Sequence, residues 1–333
     1  MSFKLCRVLV TGARSGVGQG IIKSLKLSKL PLEIIAADIS ILNAALYRTK
    51  VATLIPKLEK EKNPDKIIKI LVKFQIDIVM IGSEYEIEFF SRNKREIEDK
   101  SNSKVVVAPL STIEICNDKW LTSEFLRKNN LPYAESYLPS NISDAIKRCE
   151  SWGYPLILKS RIGTSSRNVN IINNKKTLKN LFDETPLPLI QKILMKPSDN
   201  LSYEYTCSVF KAKNDEIIGP FTARRTLRNG TSWHIEVNDF TNLYKTILDI
   251  SSKIPFIGSL NIQLMDTKNG PIPFEFNSRF SGTTAVRAHF GFNEPEMAIY
   301  SFFHNKIIVP PSLKKGVAIR YHEEVFIDDI RAN

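Results

Sequence analysis

Over residues 1–110, short apolar runs alternate with amphipathic stretches, the pattern of a parallel sheet layered with helices. Residues 5–10 form an apolar run, broken only by Arg7, that ends at a glycine turn, and a helix is expected over about 19–27. Residues 32–37 predict the next strand, which ends at Asp38. Residues 64–74 then read as a helix, 76–81 as a strand, 89–98 as a helix and 105–108 as the closing strand. The expected fold class is α/β, opening with a doubly wound parallel-sheet domain.

The texture changes near residue 110. Residues 111–129 predict one helix, with Ser111 as cap and Glu114 at capping-box spacing. Residues 140–150 predict another. A strand over 154–159 opens a small-residue loop, 162–168, before a strand over 169–172, and 175–179 reads as helical. Residues 189–194, 203–210, 216–226 and 232–237 predict antiparallel strands, and 240–250 a helix. Residues 258–265 and 272–277 predict a hairpin around Asn269-Gly270. No internal repeat is visible.

A length of 333 residues suits two domains, possibly three, and 43% hydrophobic with 25% charged residues is ordinary globular usage. No apolar run approaches the ~18–20 residues of a membrane span. The N-terminus reads as a strand rather than a signal peptide. Cys6, Cys116, Cys149 and Cys207 form no CxxC pair and are expected to be reduced thiols. The four histidines are too scattered for a zinc motif. A soluble cytoplasmic protein is expected. The net charge of +12 comes from lysines set among glutamates and isoleucines, without an aromatic-interleaved basic patch. This points away from nucleic acid and membrane, and reads first as a solvated surface rich in Lys, Ile and Asn, with sites for anionic small molecules as the other reading.

Three groups of residues carry candidate chemistry. Gly12, Gly16 and Gly18 lie between a strand and a helix, and Asp38 follows Gly18 by 20 residues, where a dinucleotide ribose would be held. The same glycines would equally let the first helix pack close to the sheet. No tyrosine has a lysine four residues later, so the catalytic pair of short-chain dehydrogenases is missing. Second, Lys119 sits on a helix, and Lys159 ends a strand before Gly163, Ser165 and Ser166, a phosphate cradle in outline. Third, strand alternation puts Glu275, Asn277 and Arg279 on one face, with Gln263 reaching it from the partner strand. A carboxylate beside amide oxygens suits a hard ion such as Mg²⁺.

The order of these segments resembles the ATP-grasp superfamily. It runs Asn117-Asp118-Lys119, Pro155-Leu156-Ile157-Leu158-Lys159, Pro188-Leu189-Ile190-Gln191-Lys192, then Glu204-Tyr205-Thr206. Gln263 follows, and after 11 residues Glu275-Phe276-Asn277-Ser278-Arg279-Phe280-Ser281-Gly282. Within the superfamily the chain is most similar to the large-subunit-like branch of carbamoyl phosphate synthase, over roughly 1–310. The resemblance implies a Rossmann-like pre-ATP-grasp domain over 1–110 and a two-lobed α+β ATP-grasp domain over 111–310. The small lobe would span about 111–188, the large lobe about 189–310, and 311–333 would be an extension.

By position, the resemblance implies that Lys119 and Lys159 bind ATP phosphates, with Gly163, Ser165 and Ser166 in the covering loop. Gln191, Lys192 and Ile193 would line adenine and Glu204 would hold the ribose. Arg225 and His234 fall where a phosphate-facing side chain is found. Gln263, Glu275 and Asn277 match magnesium ligands, with Mn²⁺ an alternative ion, and Arg279 matches the arginine that stabilises the transferring phosphoryl group. The loop departs from the family in having one glycine, with Asn168 in place of another. Residues 196–201 look inserted.

The activity so implied is ATP-dependent phosphorylation of a substrate carboxylate, followed by amide formation with an amine. One such module would not make carbamoyl phosphate alone. An NAD(P)-dependent oxidoreductase using the glycine turn, and a non-catalytic nucleotide-binding regulator, are the alternatives. Substrates are expected between the domains, near Arg14, Ser15, Glu84 and Arg287. A homodimer is compatible with this reading.

Overall fold

In the computed structural model, which describes residues 3–59, 63–163, 168–194, 204–328 and 330, the chain opens with a parallel sheet. Its elements are β1 (Cys6–Thr11), α1 (Gly16–Lys26), β2 (Leu32–Asp38), β3 (Val51–Leu54), α2 (Asp65–Lys73), β4 (Ile78–Ile81), α3 (Glu84–Ser101) and β5 (Lys104–Val106). Over the described residues the strand order is β3-β2-β1-β4-β5. Helices cover both faces, which is why β1 and β4 are apolar almost throughout. The sequence pattern misses β3, a half-buried edge strand.

The glycine turn serves packing. Gly12 has φ 53°. A Cβ on Gly18 would lie 2.4 Å from the Gly12 carbonyl oxygen, and one on Gly82 would lie 2.3 Å from the Thr11 oxygen and 2.6 Å from Gly18 Cα. Only bare backbone lets the β1–α1 and β4–α3 turns touch. Asp38 is buried, and its carboxylate accepts the Arg14 N–H at 2.9 Å and the Ile39 N–H at 2.8 Å. It braces the turn from beneath rather than awaiting a ribose. The packing reading of these glycines is the one the structure supports.

Next come α4 (Leu110–Asn117) and α5 (Lys119–Lys128), two helices where the sequence predicts one. The break is Asp118, extended at φ −119° and ψ 111°, whose side chain accepts the Trp120 and Leu121 N–H groups as the α5 cap. Ser111 caps nothing: α4 starts at Leu110 after Pro109, without a side-chain cap bond. A small antiparallel sheet follows from β6 (Ser136–Tyr137), β7 (Leu156–Ser160), β8 (Val169–Ile172) and β9 (Pro188–Lys192), in the order β6-β9-β7-β8. It is backed by α6 (Ile142–Trp152) and α7 (Lys175–Phe182).

The large antiparallel sheet comprises β10 (Glu204–Lys211), β11 (Ile217–Phe221), β12 (Ala223–Arg228), β13 (Thr231–Val237), β14 (Gly258–Thr267), β15 (Gly270–Asn277) and β16 (Gly316–Ile319). The order is β15-β14-β10-β12-β13-β16, with β11 also on β10. The strand expected over 216–226 is thus two strands. Helix α8 (Tyr244–Lys253) precedes the hairpin, and α9 (Thr284–His289) and α10 (Glu294–Ala298) follow it and pack on α1.

The packing departs from the expected bounds in three places. Cys116, Leu126 and Leu131 share a core with Tyr205, Ile262 and Phe276, so α4 and α5 belong with the large sheet. Strand β9 pairs with β7, so the small sheet runs on to Lys192. Within residues 311–333, β16 pairs with β13 as part of the large sheet. No described helix is long and apolar enough to cross a membrane.

Candidate active site

Lys159 is the fourth residue of β7 and is 5% exposed. Its Nζ donates to Gln191 Oε1 at 2.9 Å, and Gln191 Nε2 donates to Ser136 Oγ at 2.8 Å. Burial first, then the nearby Lys119 charge, pull its ammonium down to about 7, with Glu275 acting against them. Lys119, at the start of α5, donates from Nζ to the Gly163 carbonyl oxygen at 2.8 Å. Burial holds it below the ordinary lysine range too, opposed by Glu275 and Asp118.

Asp118 sets the position of Lys119. It caps α5, accepts Arg161 Nε at 2.7 Å, and bridges Ile162 through its backbone. The Lys119 N–H also donates to the Arg161 carbonyl oxygen at 3.0 Å. Asn168 closes the loop at φ 54°, the left-handed geometry that its stand-in for glycine requires. Ser165 and Ser166 lie outside the described residues, as do residues 196–201 and Tyr203.

On the large sheet the register Thr206↔Gln263↔Glu275 and Ser208↔Asn261↔Asn277 gathers polar side chains on one face. They form a continuous hydrogen-bonded chain. Arg225 donates to Glu204 Oε1 at 3.0 and 2.5 Å and to Gln263 Oε1 at 2.7 Å. Gln263 Nε2 and Asn277 Nδ2 both donate to Glu275 Oε1, each at 3.0 Å. Arg279 donates to Asn277 Oδ1 at 3.0 Å and to Glu84 of the first domain. Six of the expected residues are therefore joined: Glu204, Arg225, Gln263, Glu275, Asn277 and Arg279.

Others stand elsewhere. His234 is solvent-exposed on β13, opposite Ile319. Its neighbour Ile235 is the one that shares a face with Arg225, so His234 points away from the chain. The structure thereby removes His234 from this group. Lys192 pairs with Glu135 at 2.8 Å and lies over the Trp152 ring, while Ile193 follows β9, half-buried. Arg287 meets no solvent. It is fully buried against Glu294 at 3.1 Å and also donates to Asn261, so it is an internal brace and not a substrate contact.

Asn261 is the site neighbour that the sequence reading missed. It accepts Thr206 Oγ1 at 2.9 Å beneath Asn277. Its signal was present, since alternation on β14 places it beside Gln263.

A family model described as ATP-grasp domain matches residues 116–283, half of the chain. The chain belongs to the ATP-grasp family. The ATP-grasp match takes in Lys119, Lys159 and the Gln263–Arg279 face, and ends before Arg287. A second model, the PylC-like N-terminal domain, matches residues 8–106. The arginine-specific carbamoyl phosphate synthase large chain of Schizosaccharomyces pombe is 24% identical over 200 residues, 56% of this ATP-grasp chain and 17% of that one. The phosphoribosylamine–glycine ligase of Pyrococcus horikoshii is 23% identical over 257 residues, 69% of this chain and 58% of that one. The chain thus spans less than a fifth of that synthase. In fold it resembles the N5-carboxyaminoimidazole synthetase of Staphylococcus aureus, solved with ADP, at TM-score 0.75 and 17% identity, covering 96% of this chain and 83% of that one.

Proposed function

We propose that this ATP-grasp chain is a ligase that phosphorylates a substrate carboxylate with ATP and couples the product to an amine. The observation that carries the reading is the unbroken chain from Glu204 to Arg279, on the same site as two partly desolvated lysines. Lys119 and Lys159 would take the ATP phosphates, with Gly163 beside them. Gln191, Lys192 and Ile193 would border adenine, Glu204 the ribose, and Arg225 the phosphates from the other side.

A substrate carboxylate oxygen attacks the γ-phosphorus, the bond to the β-phosphate oxygen breaks, and ADP leaves. Arg279 stabilises charge on the transferring group, and the amine then displaces phosphate from the acyl carbon. Positioning and charge stabilisation suffice for this chemistry, without a covalent nucleophile from the protein. The ADP complex of the S. aureus synthetase and the MgADP complex of the Hydrogenobacter thermophilus biotin carboxylase domain lend support. Both alternatives weaken. Asp38 is committed to the glycine turn, and an intact polar chain argues against a decayed regulator.

Gln263, Glu275 and Asn277 are hard oxygen donors that fit Mg²⁺, or Mn²⁺ with the same preference, and the ion would neutralise phosphate charge when bound. Glu275 is the one carboxylate in that set, and no cluster of three or more His, Cys, Asp or Glu exists among the described residues. Mg²⁺ should therefore need the nucleotide as co-ligand. Mg²⁺ alone should leave the melting temperature unchanged. ATP with Mg²⁺ at about 100 times Kd should add about 2.7 kcal/mol, and NADH nothing. Screening carboxylates and amines in pairs for ADP release tests the ligase reading. ATP binding without ADP release from any pair would make the chain a regulator. The four cysteines are buried free thiols, which suits a reducing, ATP-rich cytoplasm.

Lys159 adds a proton signature. With its ammonium near 7, it is mostly neutral at pH 8. A bound polyphosphate restores the charge, so ATP binding at pH 8 should take up close to one proton. Calorimetry in two buffers of different ionisation heat reads this directly. Lys159→Met should abolish the uptake, and wild-type binding without uptake would remove Lys159 from the phosphates.

A further inference from the structure

One cationic cluster lies outside that machinery. Arg320 follows β16. Its N–H donates to the Trp233 carbonyl oxygen, and its guanidinium donates to the Gly282 carbonyl oxygen. Alternation from Ala318, which pairs with Ile235, puts Arg320 on the sheet face that carries Arg225. Its Nε is buried and has no hydrogen-bond partner among the described residues.

Lys23 stands on α1 one turn beyond Gly20, and a Cβ on Gly20 would lie 3.5 Å from the Ser281 carbonyl oxygen. Lys23 and Arg320 therefore flank the same turn, residues 281–284. Arg48 lies beside α1, its carbonyl oxygen accepting from Lys26 one turn beyond Lys23. Partial burial, then the charges of Arg48 and Arg320, hold the Lys23 ammonium below its usual range, while exposed Glu323 acts the other way. Burial first, then Arg48, lowers Lys26 as well. Among the described residues, no ion pair joins Lys23, Arg48 or Arg320 to a carboxylate.

Three cations held together, with a buried guanidinium N–H left unpaired, repel one another unless an anion sits between them. We propose that Lys23, Arg48 and Arg320 form a binding site for a phosphate group, adjoining the turn that follows Arg279. The planar guanidinium fork suits phosphate oxygens, and the cluster's surplus charge suits a dianion. Resting on the ligase reading, the phosphate is a monoester carried by the carboxylate or amine substrate. It would anchor that substrate against the first domain while its reacting end reaches Arg279.

The test needs no turnover, so its failure is distinct from a failure to release ADP. Inorganic phosphate and glycerol 3-phosphate are titrated calorimetrically into the full chain, with a non-hydrolysable ATP analogue and Mg²⁺ present to fill the nucleotide site. Both should bind. Arg320→Gln and Lys23→Gln should weaken them at least tenfold, and Arg320→Lys, which keeps the charge without the fork, should retain only part of the affinity. Phosphate should raise the melting temperature of wild type but not of Arg320→Gln. Absence of binding, or binding unchanged in both variants, overturns the site. An Arg320→Gln protein equally destabilised with and without phosphate would reduce Arg320 to a brace for Gly282. Binding of inorganic phosphate with exclusion of the monoester would overturn the substrate assignment.

Discussion

Arg279→Ala is expected to lower kcat by about a thousandfold or more while ATP affinity stays near wild type, on the scale of phosphate-clamping arginines. The guanidinium bridges Asn277 on the hairpin and Glu84 at the start of α3, so it is held in place before any phosphate arrives. Such a group contributes most where charge builds on the transferring phosphoryl, which separates kcat from binding. Arg279→Lys should rescue only part of the loss, because an ammonium lacks the fork that spans two partners. ADP formation, ATP titration and thermal stability on both variants decide the matter. Near-wild-type turnover in Arg279→Ala would falsify the catalytic role, and a loss of stability alone would make it an interdomain tie.

A second large effect is expected at Glu86, in the first turn of α3. Its carboxyl is buried, and Oε2 has no hydrogen-bond partner among the described residues. Burial first, then Asp38, raise it from 4.5 to about 7, with the Thr11 hydroxyl and Arg14 opposing. The folded protein then holds this proton more tightly than the unfolded chain. Stability should therefore fall as pH rises from about 4.5 to 7, and stay reduced above that. Glu86→Gln keeps the shape without the charge. It should stabilise the protein by about 3 kcal/mol at pH 8.5 and by almost nothing at pH 4.5, taking one pKa unit as about 1.36 kcal/mol. Urea unfolding at the two pH values measures the difference. An equal effect at both would show that ionisation of Glu86 is not what the fold opposes.

Where local chemistry decides, the sequence was readable. The apolar strands of the first domain, the Asn269-Gly270 hairpin and the face bearing Gln263, Glu275, Asn277 and Arg279 all follow from periodicity. Failures came where tertiary context decides. Helical pattern runs straight across Asp118, because α4 and α5 both pack on β15, and only the capping geometry reveals the break. Counting along the chain cannot place His234, because the β12–β13 register shifts between Arg225 and Leu227, with the extra residue on β13. Arg287 looked like a substrate contact, since nothing local announces that Glu294 and Asn261 bury with it. Lys119 and Lys159 stand out in the sequence only through their order along the chain, whereas their desolvation belongs to the folded molecule alone.

The contact of Gly12, Gly18 and Gly82 works as a spacer of fixed gauge. The two turns it holds together carry Ser15 and Glu84, and Ser15 Oγ donates across the junction to the Gly82 carbonyl oxygen. Where Gly82 meets Thr11 and Gly18 the contact is backbone on backbone, so no exchange of rotamers there can widen or narrow it. A single methyl group added at Gly82, two residues before Glu84, would meet the Thr11 oxygen and Gly18 Cα, and relieving it would push the start of α3 outward and carry Glu84 away from Arg279. The placement of Arg279 is thus set by the thickness of a bare peptide in another domain.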